Sequence, residues 1–184
     1  LGDIREGDTV AVLGAGPTGL CAMMCARLYR PAHIVAVDPI PQRLALAKAR
    51  GWADVTASPD QDVEALVQSL TQGRGADVVL EAAGGRDTFQ TAWRIARPNA
   101  TVVVVALYEE PQVLPLPDMY GKNLTFRTGG VDANACGELL RLIGEGRLDT
   151  RPLITHTFPL ERAMEAYELF ENRGDSVIKV ALKP

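Results

Sequence analysis

Gly14-Ala-Gly16-Pro-Thr-Gly19 sets three glycines in G-x-G-x-x-G spacing, and Asp38 follows 19 residues past the last of them. That set of residues can hold a pyrophosphate. Gly14 permits a tight turn, Gly16 lets the backbone approach a diphosphate, and Gly19 allows close packing of a helix on a strand. Pro17 suits a first helical position, where no N–H is needed. The N-terminus of the helix that follows offers unpaired N–H groups and the positive end of a dipole. A carboxylate at Asp38 accepts hydrogen bonds from the hydroxyls of an adenosine ribose and repels a 2′-phosphate there. NAD is therefore expected over NADP. Arg43, about one helical turn further on, either reaches the same ribose and weakens that selectivity or is a solvated helix residue.

The glycine spacing is weak evidence alone. It gains force from its setting, because Thr9–Leu13 before it reads as a buried strand and residues 17–30 after it read as a helix. A Gly-rich turn that binds nothing is one alternative. A methyltransferase is another, although its turn usually departs from the three-glycine spacing.

The other reactive side chains form no set. Cys21 and Cys25 lie four apart in the first helix. That spacing can bind zinc, but no third ligand accompanies it, and two small hydrophobes buried in an apolar helix is the better reading. Cys136 stands apart, and His33 precedes a strand and is expected to be exposed. Ser58, Ser69 and Ser176 lack a nucleophile-elbow setting. Glu81 ends a strand and reads as a solvated or backbone-bonded carboxylate rather than a general base. No catalytic residue and no metal site is expected in this chain.

These residues need elements to position them. Ile34–Asp38 is a second strand and Gln42–Arg50 a helix stopped by Gly51. Asp54–Thr56 is at best a short strand, and Asp62–Thr71 a helix with Val63, Leu66, Val67 and Leu70 on one stripe. Strands over Asp77–Glu81 and Thr101–Leu107 flank a helix over Arg86–Ile95. The first helix is apolar nearly all round, so burial of both its sides is expected. Strands that are continuously apolar and alternate with helices mark a parallel sheet covered on both faces. The fold expected is α/β, a Rossmann doubly wound six-stranded parallel sheet over residues 1–130. A helix and strand return segment over 131–184 is expected to follow it. Past Leu107, Pro111, Pro115 and Pro117 forbid a helix and confine any strand to an edge. Leu124–Thr128 restores a strand. Gly137–Glu145 and Leu160–Glu171 read as helices, Leu153–Phe158 as extended, and Val177–Leu182 as a closing strand.

Composition limits the function further. Of 184 residues, 47% are hydrophobic and 23% charged, which excludes a disordered tail or a coiled coil. Acidic residues outnumber basic ones by 23 to 19, against a general nucleic-acid surface. Three cysteines are too few for a disulfide framework or a four-thiolate zinc site. No apolar run approaches the ~18 residues of a membrane span, so a protein of a reducing compartment, cytoplasmic, is expected. The chain opens on Leu1 rather than Met, which leads us to expect sequence upstream.

Longer stretches carry a family likeness. Gly7–Leu20, Asp38 with Arg43 and Gly51, and Gly75–Gly84 are joined by Lys122–Gly129, Leu153–Leu160, Glu165–Phe170 and Ile178–Ala181. Over nearly its whole length the chain resembles the cofactor-binding domain of zinc-dependent medium-chain alcohol dehydrogenases. The resemblance implies a nicotinamide cofactor across the C-terminal strand ends. Ala82, Ala83 and Gly84 would run beside it, and Val105, Ala106 and Leu107 would meet the carboxamide through backbone groups. Thr128 and Gly129 would do likewise, Thr18 would pack near the nicotinamide ring, and Lys179 would face the pyrophosphate or be an exposed strand lysine. His156, in the family's Thr-His-Thr-Phe motif, would tether backbone.

The resemblance also implies a parent enzyme. In it, a zinc held mainly by an absent N-terminal domain polarises an alcohol, and hydride passes to NAD. This chain orients the cofactor and holds no zinc. A zinc-free quinone or enoyl reductase domain and a non-catalytic dinucleotide-binding module are the alternatives, and Asp38 argues against the reductase. The implied partners are NAD(H), a small alcohol, aldehyde or ketone substrate, and further copies of the chain, as a dimer or a tetramer. A homodimer would pair sheet edges near Pro111–Leu116 and Leu124–Arg127. The final strand would pair with the absent domain, so Leu153–Phe158 and Val177–Leu182 are expected to expose apolar surface or unpaired edges.

Overall fold

The computed structural model describes residues 1–130, 133–172 and 176–184. The chain divides into two compact units, Leu1–Asp132 and Ala133–Pro184. Val131, where the second segment was expected to begin, lies outside the described residues.

The first unit is built on strands β1 (Thr9–Leu13), β2 (His33–Val37), β3 (Val55–Ala57), β4 (Ala76–Glu81), β5 (Ala96–Val104) and β6 (Thr125–Thr128). They form one parallel sheet in the order β3-β2-β1-β4-β5-β6. This is the expected six-stranded Rossmann arrangement, whose order reverses between β1 and β4. Helices α1 (Pro17–Arg27), α2 (Pro41–Ala49), α3 (Val63–Leu70) and α4 (Thr88–Ile95) connect the strands. Every residue of β1 and β4 is buried, as the unbroken apolar runs require. Val35, Val67, Val79, Ile95 and Val102 form the centre of the core.

Local contacts set the helix ends. The Asp62 carboxylate accepts the Ala65 N–H at 2.9 Å and caps the start of α3. At the other end of α4, the Lys122 ammonium donates to the carbonyls of Trp93, Arg94 and Ala96. A cation there satisfies the carbonyls that a helix C-terminus leaves open. At the base of the sheet, Asp77 is buried, accepting the Thr9 N–H at 2.8 Å and pairing with Arg97 at 2.6 Å.

Several expectations change on inspection. The structure ends β5 at Val104, not Leu107, because Val105 N–H and Ala106 N–H both turn to the Glu81 carbonyl. At its start, β5 reaches back to Ala96 through a register shift opposite β4, with Asn99 at φ 60°. The prolines do not forbid a helix. A single turn, α5 (Leu116–Met119), forms with Pro117 in its first turn, where its missing N–H costs nothing. The helix α1 is buried on one face only. Leu20, Met23, Met24 and Ala26 are buried, whereas Cys21, Ala22 and Cys25 are half-buried. His33 is the first residue of β2 and half-buried rather than exposed.

The second unit holds α6 (Cys136–Gly144), β7 (Ile154–Pro159), α7 (Ala163–Glu171) and β8 (Lys179–Lys183). A 3-10 turn, Leu160–Arg162, begins what the sequence presented as one helix over Leu160–Glu171. The strand β8 was expected to lack a partner within the chain. It pairs in parallel with β7 instead. The Thr155 hydroxyl fixes this pairing, donating to the Lys179 carbonyl and accepting the Ile178 N–H. Of the apolar surface expected on Leu153–Phe158 and Val177–Leu182, Ile154 and Leu182 are exposed but Leu153, Val177 and Ile178 are buried, and α7 adds exposed Met164, Tyr167 and Phe170.

Candidate functional site

The turn after β1 meets the turn after β4 where the strand order reverses. Gly14 takes φ +98°, a conformation L side chains rarely adopt, and its N–H donates to the Val37 carbonyl at 2.7 Å. A Cβ on Gly14 would stand 3.0 Å from the backbone of Ala82 and Ala83. Gly19 is tighter still, since a Cβ there would fall 1.8 Å from the Gly14 carbonyl oxygen. The glycines thus let α1 start directly against the end of β1. No side chain caps that start and no acid occupies its first turn. Its positive end faces outward with Thr18 exposed beside it.

Asp38 is buried, and the glycine turn claims its carboxylate. Oδ2 accepts the Ala15 N–H at 2.6 Å, and Oδ1 accepts the Ile40 N–H at 2.8 Å. The residue therefore couples the end of β2 to the glycine loop, a role its position in the sequence did not disclose. Each carboxylate oxygen retains a second lone pair for a ligand hydroxyl. Arg43 is not simply solvated. Its Nη1 lies 3.9 Å from Asp38 Oδ2 and 3.7 Å from the position a Cβ on Gly16 would take. Glycine loop, carboxylate and guanidinium form one cluster at the ends of β1 and β2.

A second cluster lies at the ends of β4 and β5. Ala83 is exposed, with Ala82 and Gly84 half-buried. Gly84 takes φ +65°, and a Cβ on it would fall 2.5 Å from the Leu107 carbonyl oxygen. The Ala82–Gly84 turn and the Val105–Leu107 turn therefore pack backbone on backbone. Glu81 is fully buried, and its Oε1 accepts the Ala83 and Gly84 N–H groups at 3.0 and 2.9 Å. This is the backbone-bonded carboxylate expected, without solvent. The sequence did not single out Thr88 and Tyr108, whose hydroxyls lie 3.0 Å apart. Burial, and then the nearby Glu81 charge, push the Tyr108 phenol up to about 12, against the bond to Thr88. A tyrosine just past an apolar strand, facing a helix start, was the available signal.

Thr128 closes β6 and is exposed. Gly129 lies against Leu1, since a Cβ there would stand 2.8 Å from the Leu1 side chain. Lys179 is exposed at the first position of β8 in the second unit. His156 Nδ1 shares a hydrogen bond with the Thr155 hydroxyl at 3.0 Å.

Metal chemistry finds no seat among the described residues, where no group of three or more His, Cys, Asp or Glu could hold an ion. Cys25 is a poor ligand where it stands, because burial and the neighbouring Cys21 push its thiol up, away from the thiolate. No helix among the described residues is long and apolar enough to cross a membrane.

Known proteins resemble this chain in sequence and fold. A family model described as zinc-binding dehydrogenase matches residues 17–144. An alcohol dehydrogenase of Cupriavidus necator is 36% identical, with 99% of this chain and 51% of that protein aligned. The NADP-dependent isopropanol dehydrogenase of Thermoanaerobacter brockii is 33% identical, over 97% of this chain and 53% of that protein. Among solved structures, the alcohol dehydrogenase TADH from Thermus sp. ATN1 superposes with a TM-score of 0.90 at 35% identity, covering 99% of this chain and 53% of that one. The chain spans about half the length of the relatives it matches.

Proposed function

The chain belongs to the zinc-binding dehydrogenase family, and from that premise we propose that it is the NAD-binding half of an alcohol dehydrogenase. The observation that carries this reading is the cluster at the reversal of strand order, where Asp38 locks the glycine turn beneath the open start of α1. A dinucleotide is recognised at that place in a doubly wound sheet.

Each part of the site has a task. The first-turn amides of α1, with Gly16 bare of a side chain, receive the pyrophosphate. The adenosine ribose hydroxyls donate to the remaining lone pairs of Asp38. The backbone of Ala82–Gly84 and Val105–Leu107, with Thr128 and Gly129, lines the nicotinamide half, and Thr18 lies towards the ring. When bound, the nicotinamide supplies the acceptor for hydride from an alcohol carbon. Asp38 beside a 2′-phosphate would repel it, which supports NAD as the preferred cofactor. The partial approach of Arg43 moderates the preference without reversing it.

No group among the described residues could hold zinc, and we assign its ligands to residues outside this chain. A small alcohol, aldehyde or ketone would be the substrate of the complete enzyme. Exposure of Leu107, Val113, Leu114, Leu116 and Tyr120 on the segment between β5 and β6 supports a homodimer formed along that edge of the sheet. Three cysteines, too few for a disulfide framework, support a reducing, cytoplasmic setting.

Turnover tests the division of labour. With NAD and a panel of primary and secondary alcohols, the 184-residue chain is expected to form no NADH, with zinc added or without it. Zinc-dependent NADH formation by this chain alone would contradict the assignment of the metal to residues elsewhere.

A further inference from the structure

Glu81 is an unusual way to end a strand. Every residue of β4 is buried, and the carboxylate at its end has no exposed surface. Burying a charge costs several kcal/mol unless hydrogen bonds or an opposite charge offset it. No ion pair with Glu81 forms among the described residues. Two backbone N–H groups meet Oε1, and Oε2 is buried with no hydrogen bond of good geometry, although the Tyr108 phenol lies close enough for the carboxylate to act on it. An apolar residue would fill the same space at lower cost, so the benefit must lie in what the carboxylate holds.

It holds the turn of Ala82–Gly84. The Glu81 backbone carbonyl simultaneously accepts Val105 N–H at 2.9 Å and Ala106 N–H at 3.2 Å. One residue thereby fixes the exits of two neighbouring strands. A second brace spans the same two exits, because Thr88 at the start of α4 bonds Tyr108 past the end of β5. Gly84, whose missing Cβ would strike the Leu107 carbonyl, leaves these turns little freedom to slide.

We infer that Glu81 is a positioning residue that sets the Ala82–Gly84 and Val105–Leu107 turns for the nicotinamide half of the cofactor. This rests on the dinucleotide reading above. Being fully buried, Glu81 acts through the turns and does not touch the ligand itself. The Asp38 carboxylate bonds Ala15 and Ile40 rather than the turn that Glu81 holds, and the glycine loop meets that turn through the packing of Gly14 on Ala82 and Ala83. The adenylate half of the site, anchored on Asp38, should therefore change little on replacement of Glu81.

Calorimetric titration of the chain with NADH and, separately, with AMP tests the inference. Glu81→Ala is expected to weaken NADH about tenfold or more while AMP affinity stays within about twofold of wild type. Glu81→Gln keeps an acceptor for the two amides but loses charge assistance, and is expected to weaken NADH about threefold, again with AMP unchanged. NADH affinity within measurement error of wild type in Glu81→Gln, or equal losses of NADH and AMP in either variant, would overturn the inference. If Glu81→Ala fails to fold, Glu81→Gln decides alone. A wild-type chain that binds neither nucleotide would overturn the dinucleotide reading, and this inference with it.

Discussion

Asp38→Asn is expected to reduce the ratio of NADH to NADPH affinity at least about tenfold, and to weaken NADH in absolute terms. Two physical effects act, and the measurement separates them. The ratio reports the ribose, since loss of the negative charge removes repulsion of a 2′-phosphate. Arg43, 3.9 Å from the carboxylate, is then released to attract that phosphate. A tenfold change needs only about 1.4 kcal/mol, well within reach of one charge pair several ångströms apart in a partly buried site. The absolute NADH affinity reports the loop. Asparagine can offer an acceptor to Ala15 or to Ile40, but turns an NH2 group towards the other N–H. Adding Arg43→Ala to the variant should remove most of the NADPH gain. An unchanged ratio in Asp38→Asn would mean that the carboxylate serves the glycine loop alone.

Gly19→Ala should have the larger effect on the fold. Its added methyl would sit 1.8 Å from the Gly14 oxygen, and the opposing atom is backbone, which cannot rotate away. The start of α1 must move off the end of β1, and overpacking of this kind costs typically about 1–3 kcal/mol, sometimes more. Because the displaced amides are those proposed to receive the pyrophosphate, NADH affinity is expected to fall about tenfold or more. Gly73→Ala is the control. Gly73 has positive φ, which Gly19 does not, and a Cβ there meets nothing within 4 Å. It should cost backbone strain of about 1–2 kcal/mol and leave NADH affinity unchanged. Urea denaturation and NADH titration of both variants check the pair. Equal NADH affinity in Gly19→Ala and wild type would remove the glycine turn from the site.

The sheet was legible because a parallel sheet covered on both faces writes itself as unbroken apolar runs. Thr9–Leu13 was read to the residue, and the glycine spacing with Asp38 marked the strand reversal. Strand and helix ends were less legible, since they depend on partners distant in sequence. The strand β5 stops at Val104 because Glu81, the last residue of β4, captures the next two N–H groups. The turn at Leu116–Met119 was hidden because a proline forbids a helix only past its first turn. The half-exposed face of α1 was hidden for another reason: an apolar stripe shows that a surface is to be covered, not what covers it. At the site, residue types were visible and their bonds were not. Asp38 was visible as a ribose acceptor, but its grip on Ala15 required the loop to fold back over β2. Glu81 was visible as a carboxylate at a strand end, while its two amide donors belong to a turn whose shape no local pattern specifies.

The central claim is that this chain is a dinucleotide-binding unit with a preference for NAD over NADP. Fluorescence titration of the wild-type chain with NADH and with NADPH tests it most directly. Saturable binding of one NADH per chain, about tenfold or more tighter than NADPH, is the expected result. Binding of neither nucleotide up to about 1 mM, the upper end of ordinary cofactor and substrate affinities, would contradict it, as would a clear preference for NADPH.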